Sequence, residues 1–246
     1  GSTEGAALLS CLGALRSGVG LVTLLGASPT LRAGVPAEVM VGQWDGKLRG
    51  ELKQAALGIG PGLGTGPEQW RLLADVLATP NPLVIDADAL TLIASHEEEA
   101  KTLLLNRLAP TVFTPHPGEA ARLLGMSTEE VQADRYGACR KLVQNFGVNV
   151  VLKGRGTVLG FPRRPLLVVT TGDAGLSRGG TGDLLTGVLT SLLAQGLEPT
   201  RAVPLGVYLH GRASELCTLR AGHTRSTLPS EIAEQLKEAL GEITRA

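Results

Sequence analysis

The sequence predicts an α/β fold with a mostly parallel central sheet between two layers of helices, a three-layer α/β/α arrangement. Short, nearly continuous apolar segments recur along the chain, as expected of strands buried on both faces. Helical segments separate them, which is the pattern of βα units. Glycine, proline and polar clusters fall where these strands end, the edge at which open parallel sheets hold their ligands. A chain of 246 residues can bury roughly 70% of the surface its unfolded form exposes. Aromatic residues make up only 3% of it against 43% hydrophobic, so aliphatic side chains must build the core.

The elements follow from local pattern. Gly5–Ser17 reads as a small-residue helix, with Ala6, Leu9, Leu12 and Leu15 near the helical period. Val19–Leu25, Ala37–Val41 and Ala55–Ile59 are short apolar strands. Glu68–Leu77 is a helix behind Pro67, a residue suited to a first turn. Strand Pro82–Asp86 leads to a short helix at Ala89–Ala94, and strand Thr111–Thr114 leads through Pro117-Gly118 to a helix at Glu119–Leu124. Thr128–Phe146 is expected as one long helix. Val148–Lys153 and Thr157–Phe161, parted by Gly154 and Gly156, predict a hairpin, and Leu166–Thr170 another strand. Helices at Asp183–Ala194, Ala202–Leu219 and Ser230–Leu240 finish the chain. No repeat, low-complexity tract or linker interrupts it, so a single domain over 1–246 is expected.

Several function classes are disfavoured. Lysine plus arginine and aspartate plus glutamate both number 23, without the basic excess of a nucleic-acid or membrane-surface binder. Cys11, Cys139 and Cys217 are odd in number and far apart, which argues for a reducing, cytoplasmic setting over a disulfide framework. His96, His116, His210 and His223 show no zinc spacing with them. The longest apolar stretch, Leu184–Leu197, contains Thr186, Ser191 and Gln195 and is too short to span a bilayer. No basic leader marks a signal peptide at the start.

Chemistry concentrates in two glycine loops. Gly172–Asp183 joins a strand to a helix, and Gly179, Gly180 and Gly182 leave backbone N–H groups open to phosphate oxygens. The positive end of the following helix points into the same space. Asp183 on the first turn can take a proton from a hydroxyl that attacks a phosphoryl group. The bland alternative is a tight turn with Asp183 complementing the helix dipole. The loop lacks the Gly-Lys-Ser/Thr ending of a Walker A motif, and no Gly-x-Gly-x-x-Gly opens the first helix. The second loop, Gly58-Ile59-Gly60-Pro61-Gly62-Leu63-Gly64-Thr65-Gly66, has glycine at every second position. A backbone surface pressed against a bulky ligand explains it better than a turn, with Gly62 and Gly64 the best contacts.

Other strand ends carry single candidates. Asp86 should be buried and therefore in need of partners or a role. Asp88 is expected to cap the helix starting at Ala89. His116 and Glu119 flank Pro117-Gly118, and the plain reading of Glu119 is a helix-dipole partner. Lys153-Gly154-Arg155-Gly156-Thr157 forms the hairpin tip, and a solvated basic turn is its plain reading. His210 and Gly211 are read as packing residues, and His223 is assigned nothing.

Gly179-Gly180-Thr181-Gly182-Asp183 before an apolar helix resembles the anion-hole and catalytic-base motif of the ribokinase-like superfamily. Six further segments occur in order: Gly5-Ala6-Ala7-Leu8-Leu9, Leu15-Arg16-Ser17-Gly18, Gly60-Pro61-Gly62-Leu63-Gly64, Asp86-Ala87-Asp88-Ala89-Leu90, Pro115-His116-Pro117-Gly118-Glu119 and Leu152-Lys153-Gly154. Together they resemble the ADP/ATP-dependent NAD(P)H-hydrate dehydratases over nearly the whole chain.

That resemblance implies repair of hydrated NADH and NADPH, with Mg²⁺ and with ADP or ATP as co-substrate. Asp183 is then the catalytic base. Lys153, Gly154, Arg155, Gly156, Thr157, Gly179, Gly180, Thr181 and Gly182 would bind nucleotide, and Ala6, Gly62, Gly64, Asp86, His116 and Asp183 the hydrated substrate. Glu119 would help to organise magnesium. A homo-oligomer, or partnership with an epimerase domain for the hydrates, is the expected association. Three departures from the family stand out. A strand normally precedes the Gly-Ala-Ala helix, so the family's first strand is expected to be missing; Asp173 replaces a frequent Asn; and Arg178 occupies a usually small position. A vitamin-precursor kinase of the same superfamily, or an inactive nucleotide-binding module, are the rival readings.

Overall fold

The structure, a computed structural model, describes residues 4–26, 34–45 and 53–244. The elements run α1 (Glu4–Leu15), β1 (Val22–Leu25), β2 (Val39–Gly42), β3 (Leu57–Ile59), α2 (Pro67–Leu77), β4 (Leu83–Ile85), α3 (Ala87–Ser95), α4 (Glu97–Leu105) and β5 (Thr111–Phe113). There follow α5 (Pro117–Leu124), α6 (Thr128–Ala133), α7 (Arg135–Phe146), β6 (Asn149–Leu152), β7 (Thr157–Gly160) and β8 (Leu167–Val169). A 3₁₀ turn (Ala174–Ser177), α8 (Thr181–Ala194), α9 (Pro199–Ala221) and α10 (Pro229–Thr244) complete the order. The chain divides into two compact units, one of Gly1–Lys47 with Thr170–Ala246 and the other of Leu48–Val169.

The Leu48–Val169 unit holds a six-stranded sheet in the order β3-β4-β5-β6-β7-β8. The first four strands are parallel, and β6-β7 and β7-β8 are antiparallel. The predicted hairpin is therefore present, with Val150 opposite Gly160. Leu83, Val84 and Ile85 of the second strand are all fully buried. Each such side chain contributes about 1.5–3 kcal/mol over exposure, which is why the strand shows no polar alternation.

Two expectations fail in this unit. Thr128–Phe146 is not one helix, because Asp134 leaves helical geometry (φ −137°, ψ 74°) and its side chain accepts the Gly137 N–H at 2.8 Å. A new N-cap thus divides α6 from α7. Residues 97–105, assigned no element from the sequence, form α4. Only Ala100 and Leu104 bury a face there, while Glu97, Glu98 and Glu99 complement the helix dipole.

The other unit contains the parallel pair β1-β2 and helices α1, α8, α9 and α10. Cys11, Ala14, Val22 and Val39 form a small core under Leu15, Val19, Leu24 and Val35. Helices α1 and α8 approach backbone to backbone. A Cβ on Gly187 would lie 1.8 Å from the Ser10 carbonyl oxygen, and one on Gly13 would lie 2.2 Å from that of Leu184. The small residues that mark α1 in the sequence are thus a packing surface for the helix carrying Asp183. Gly187→Ala must separate the two backbones and should cost about 1–3 kcal/mol in denaturant unfolding. Gly5→Ala, whose Cβ meets nothing within 4 Å, should be neutral or stabilising.

Candidate active site

In the Leu48–Val169 unit the ends of β4, β5 and β6 meet around one lysine. The Lys153 ammonium lies 2.8 Å from Asp86 Oδ1 and 3.9 Å from Glu119 Oε2. Its backbone N–H donates to the Pro115 carbonyl at 2.9 Å. Asp86 is 1% exposed, and the ion pair explains how a carboxylate can be buried there. Asp86 ends β4 and stands at the N-cap of α3 without capping it by side chain.

The next residue, Ala87, has φ +48°, a left-handed conformation costing a non-glycine residue roughly 1–2 kcal/mol. Asp88 corrects the sequence reading. It lies inside the first turn of α3, and its Oδ2 accepts the Gly64 N–H at 2.8 Å, fixing the glycine loop instead of capping a helix. Gly60 also has a local reason to be glycine: with φ +124°, its Cβ would fall 1.8 Å from the Asp86 carbonyl oxygen. Gly62 (φ 70°) and Gly64 (φ 84°) share the positive φ and belong to the same pinned loop.

His116 is the N-cap of α5. Its Nδ1 accepts the N–H groups of Gly118 at 3.0 Å and Glu119 at 3.3 Å, while Glu119 Oε2 accepts the His116 N–H at 2.7 Å. This is a capping box with imidazole in place of the usual hydroxyl. Desolvation first, then the Lys153 charge, lowers the His116 pKa, with Asp86 opposing. Burial first raises that of Glu119, against the pull of Lys153. The lowered His116 value and the two N–H groups that Nδ1 accepts both favour a neutral ring, and Nε2 stands 3.4 Å from Glu119 Oε1.

The hairpin tip is held from beneath by Arg135, absent from the sequence reading. Its guanidinium donates to the carbonyls of Leu152, Lys153 and Arg155. Gly154 (φ +138°) leaves room for it, since a Cβ there would meet Nη2 at 2.9 Å. Arg155 is exposed, and the Thr157 hydroxyl donates to the Gly154 carbonyl at 3.1 Å.

In the other unit, Gly180 (φ 94°) caps α8 without a side chain. Thr181 is buried, and its single hydroxyl proton is shared between the carbonyls of Leu176 at 2.8 Å and Arg178 at 2.9 Å, closing the loop on itself. Gly179 is exposed with nothing within 4 Å of a Cβ position, whereas a Cβ on Gly180 would strike Leu9. Gly182 and half-buried Asp183 follow on the first turn. The Ser10 hydroxyl lies 2.9 Å from the Asp183 carbonyl and 3.2 Å from that of Ala6, which couples Ala6 to the start of α8. The geometry thus brings together Asp86, His116, Glu119 and Lys153 in one unit, and Ala6 with the residue 179–183 loop in the other. Among the described residues no three His, Cys, Asp or Glu side chains converge as a metal cage. No helix among them is long and apolar enough to cross a membrane.

Residues 1–238 match the family described as NAD(P)H-hydrate dehydratase. The chain belongs to that family. It is 38% identical over 241 residues to the bifunctional NAD(P)H-hydrate repair enzyme of Escherichia coli, which covers 96% of this chain and 45% of that protein. It spans 45–47% of the length of the bifunctional relatives that match 96% of it. The ADP/ATP-dependent NAD(P)H-hydrate dehydratase of Bacillus subtilis, co-crystallised with ATP and Mg²⁺, superposes with a TM-score of 0.83 at 32% identity, covering 98% of this chain and 85% of that one. A ribokinase-like superfamily protein of Enterococcus faecalis superposes at 0.78 and 28% identity, over 97% of this chain and 82% of that one. The α/β fold with a mostly parallel sheet is therefore the ribokinase-like fold expected from the motifs.

Two outcomes follow from the Lys153 cluster. Lys153→Met takes the ammonium away from the Asp86 carboxylate and should cost about 3 kcal/mol in denaturant unfolding, the low end for a broken buried pair, because Lys153 keeps some exposure. For His116 the folded pKa lies below the ordinary 6.5, so the unfolded chain takes up the proton first. Its contribution to stability is complete above pH 6.5 and is lost as pH falls through the lowered folded value. His116→Asn, which can still cap, should flatten that acid-side loss when unfolding is followed from pH 7 to pH 5.

Proposed function

We propose that this chain restores hydrated NADH and NADPH to the reduced dinucleotides at the expense of ADP or ATP. One observation carries the reading. A family member presents Asp183 on the first turn of a long helix, behind a glycine N-cap and the open backbone of Gly179. In the proposed reaction Asp183 accepts the proton of the hydroxyl on the damaged nicotinamide ring, and that oxygen attacks the terminal phosphoryl group. The N–H groups of residues 179–182 and the positive end of α8 hold the charge that develops on the phosphoryl oxygens. Phosphate then departs with the C–O bond, and loss of a ring proton re-forms the double bond.

Ala6, Gly62, Gly64, Asp86 and His116 are assigned to the hydrated substrate. Lys153 and the backbone of residues 154–157 are assigned to the nucleotide. The ion pair of Lys153 with Asp86 gives its ammonium a fixed place from which to serve both. Mg²⁺, where bound, neutralises phosphate charge. Asp86 and Glu119 face Lys153 and His116, so the ion would be held chiefly by the nucleotide's phosphates and by water.

Partnership with an epimerase for the two hydrate forms is supported by the bifunctional relatives. A reducing, cytoplasmic setting is supported by Cys11, Cys139 and Cys217, all buried and free.

The test is absorbance of the reduced nicotinamide in a mixture of protein, hydrated NADH, Mg²⁺ and either ADP or ATP. A rise matched by phosphate release is expected. A stable phosphorylated product without that rise would instead identify a kinase. Asp183→Asn should lose turnover by about 10²–10⁴-fold while still binding nucleotide; a variant that retains the wild-type rate removes Asp183 from the mechanism.

A further inference from the structure

Two capping boxes stand side by side in this chain, and they differ in one respect. At α6 the ordinary form is present: the Ser127 hydroxyl accepts the Glu130 N–H at 3.1 Å, and Glu130 Oε2 accepts the Ser127 N–H at 2.7 Å. At α5 the same box is built from His116 and Glu119, with an identical 2.7 Å return bond from His116 N–H to Glu119 Oε2. A hydroxyl suffices to cap a helix, as α6 demonstrates. An imidazole adds a second nitrogen that the cap does not use.

The cap dictates the state of that nitrogen. Nδ1 receives the N–H groups of both Gly118 and Glu119, so it must offer a lone pair. In a neutral ring the proton is then on Nε2. Gly118 makes the arrangement possible, because a Cβ there would press on the ring at 2.9 Å from Cε1 and 3.2 Å from Nδ1. The His116 side chain is 57% exposed and that of Glu119 only 10%. The ring is therefore largely open to solvent while the carboxylate beside it is covered, with Oε1 3.4 Å from Nε2. Lys153, Asp86 and Arg122 are the charged groups that act on the ring besides Glu119.

We propose that Glu119 is a positioning residue, not a magnesium ligand: by closing the box on the His116 backbone and standing against the ring it fixes the imidazole in the Nε2–H form, as a hydrogen-bond donor to an acceptor oxygen of the substrate. The proposal rests on the reading of His116 as a substrate contact. It gives Glu119 a different job from the one implied by family resemblance. Each of its oxygens already faces a group of the chain: Oε2 takes the His116 N–H with Lys153 at 3.9 Å, and Oε1 stands 3.4 Å from Nε2.

The experiment uses the full chain with ¹⁵N-labelled histidine, His116 being assigned by comparison with His116→Asn. Nitrogen shifts report the tautomer, and steady-state rates are measured against both hydrated NADH and Mg²⁺. Wild type should show the Nε2–H tautomer. Glu119→Ala should give a mixture of tautomers and raise KM for the hydrate about tenfold, the effect of losing one oriented hydrogen bond. Its half-saturating Mg²⁺ concentration should be unchanged. Glu119→Gln, which can still close a capping box, should restore both the tautomer and KM.

An Nδ1–H ring in wild type overturns the proposal. So does a Glu119→Gln variant that needs tenfold more Mg²⁺ at unchanged KM for the hydrate, since a metal ligand would behave that way. Should wild type turn over no hydrate at all, the functional reading has failed separately. The ring signals of Glu119→Ala and Glu119→Gln then decide the positioning role alone, and an unchanged tautomer in Glu119→Ala sinks it.

Discussion

The buried ion pair between Lys153 and Asp86 is the constraint on which the strand ends of the six-stranded sheet depend. A carboxylate 1% exposed at the end of β4 needs compensation for its burial, and the long, flexible side chain of Lys153 supplies it across the sheet at 2.8 Å. Once Lys153 is committed to Asp86, its backbone N–H meets Pro115 at the end of β5 and its ammonium comes within reach of Glu119 on α5. Three consecutive parallel strands are thereby held at the edge where such sheets bind ligands. The strained φ at Ala87 sits between two anchored carboxylates, Asp86 on Lys153 and Asp88 on Gly64. Strain of that kind persists only where its surroundings over-determine it.

The fold was legible because it is written in local pattern. Apolar strands without alternation, helices between them and glycine at the turns sufficed to place β3 to β6 and the hairpin that follows. What escaped was set by tertiary packing or by a single side chain. Helix α4 begins with three glutamates and buries only two residues, so no apolar stripe announced it. The break between α6 and α7 rests on one Asp134 hydrogen bond to Gly137. A helical pattern running on both sides of Asp134 conceals it, because aspartate is tolerated inside a helix as well as at its start.

At the candidate site, residues carrying recognisable motifs were legible and those supporting them were not. The loop at 179–183, His116 and Lys153 stand in patterns dense enough to be read. Arg135 is one basic residue on a polar helix, and only the structure reveals its donation to three carbonyls behind the hairpin tip. Ser10 looks like another small residue of α1, yet its hydroxyl reaches the Asp183 carbonyl. Asp88 was visible but misassigned: an acidic residue near a helix start suggests a cap, while its actual acceptor duty is toward a loop 24 residues earlier in the chain. At Gly60 the structure adds a reason that the sequence does not show, since a Cβ there would strike the carbonyl of Asp86.

Asp173, at a position where the resemblance led to an expected Asn, has a physical explanation in the same terms. Asp173 Oδ1 accepts the Gly175 N–H at 2.9 Å and the Ser214 hydroxyl at 2.7 Å, and Oδ2 accepts the Thr218 hydroxyl at 2.5 Å. Three donors converge on two oxygens, and a carboxylate, which accepts everywhere and donates nowhere, satisfies all of them. An asparagine would present an amide N–H₂ to one of these donors, and the hydroxyl there would have to turn and accept instead. Ser214 and Thr218, one helical turn apart on α9, make the carboxylate the natural occupant in this chain. Asp173 thereby fixes the 3₁₀ turn from which the residue 179–183 loop departs. The neighbouring departure, Arg178, contributes its carbonyl to Thr181 and leaves its side chain exposed. Both substitutions therefore keep the backbone geometry on which the glycine-capped start of α8 relies.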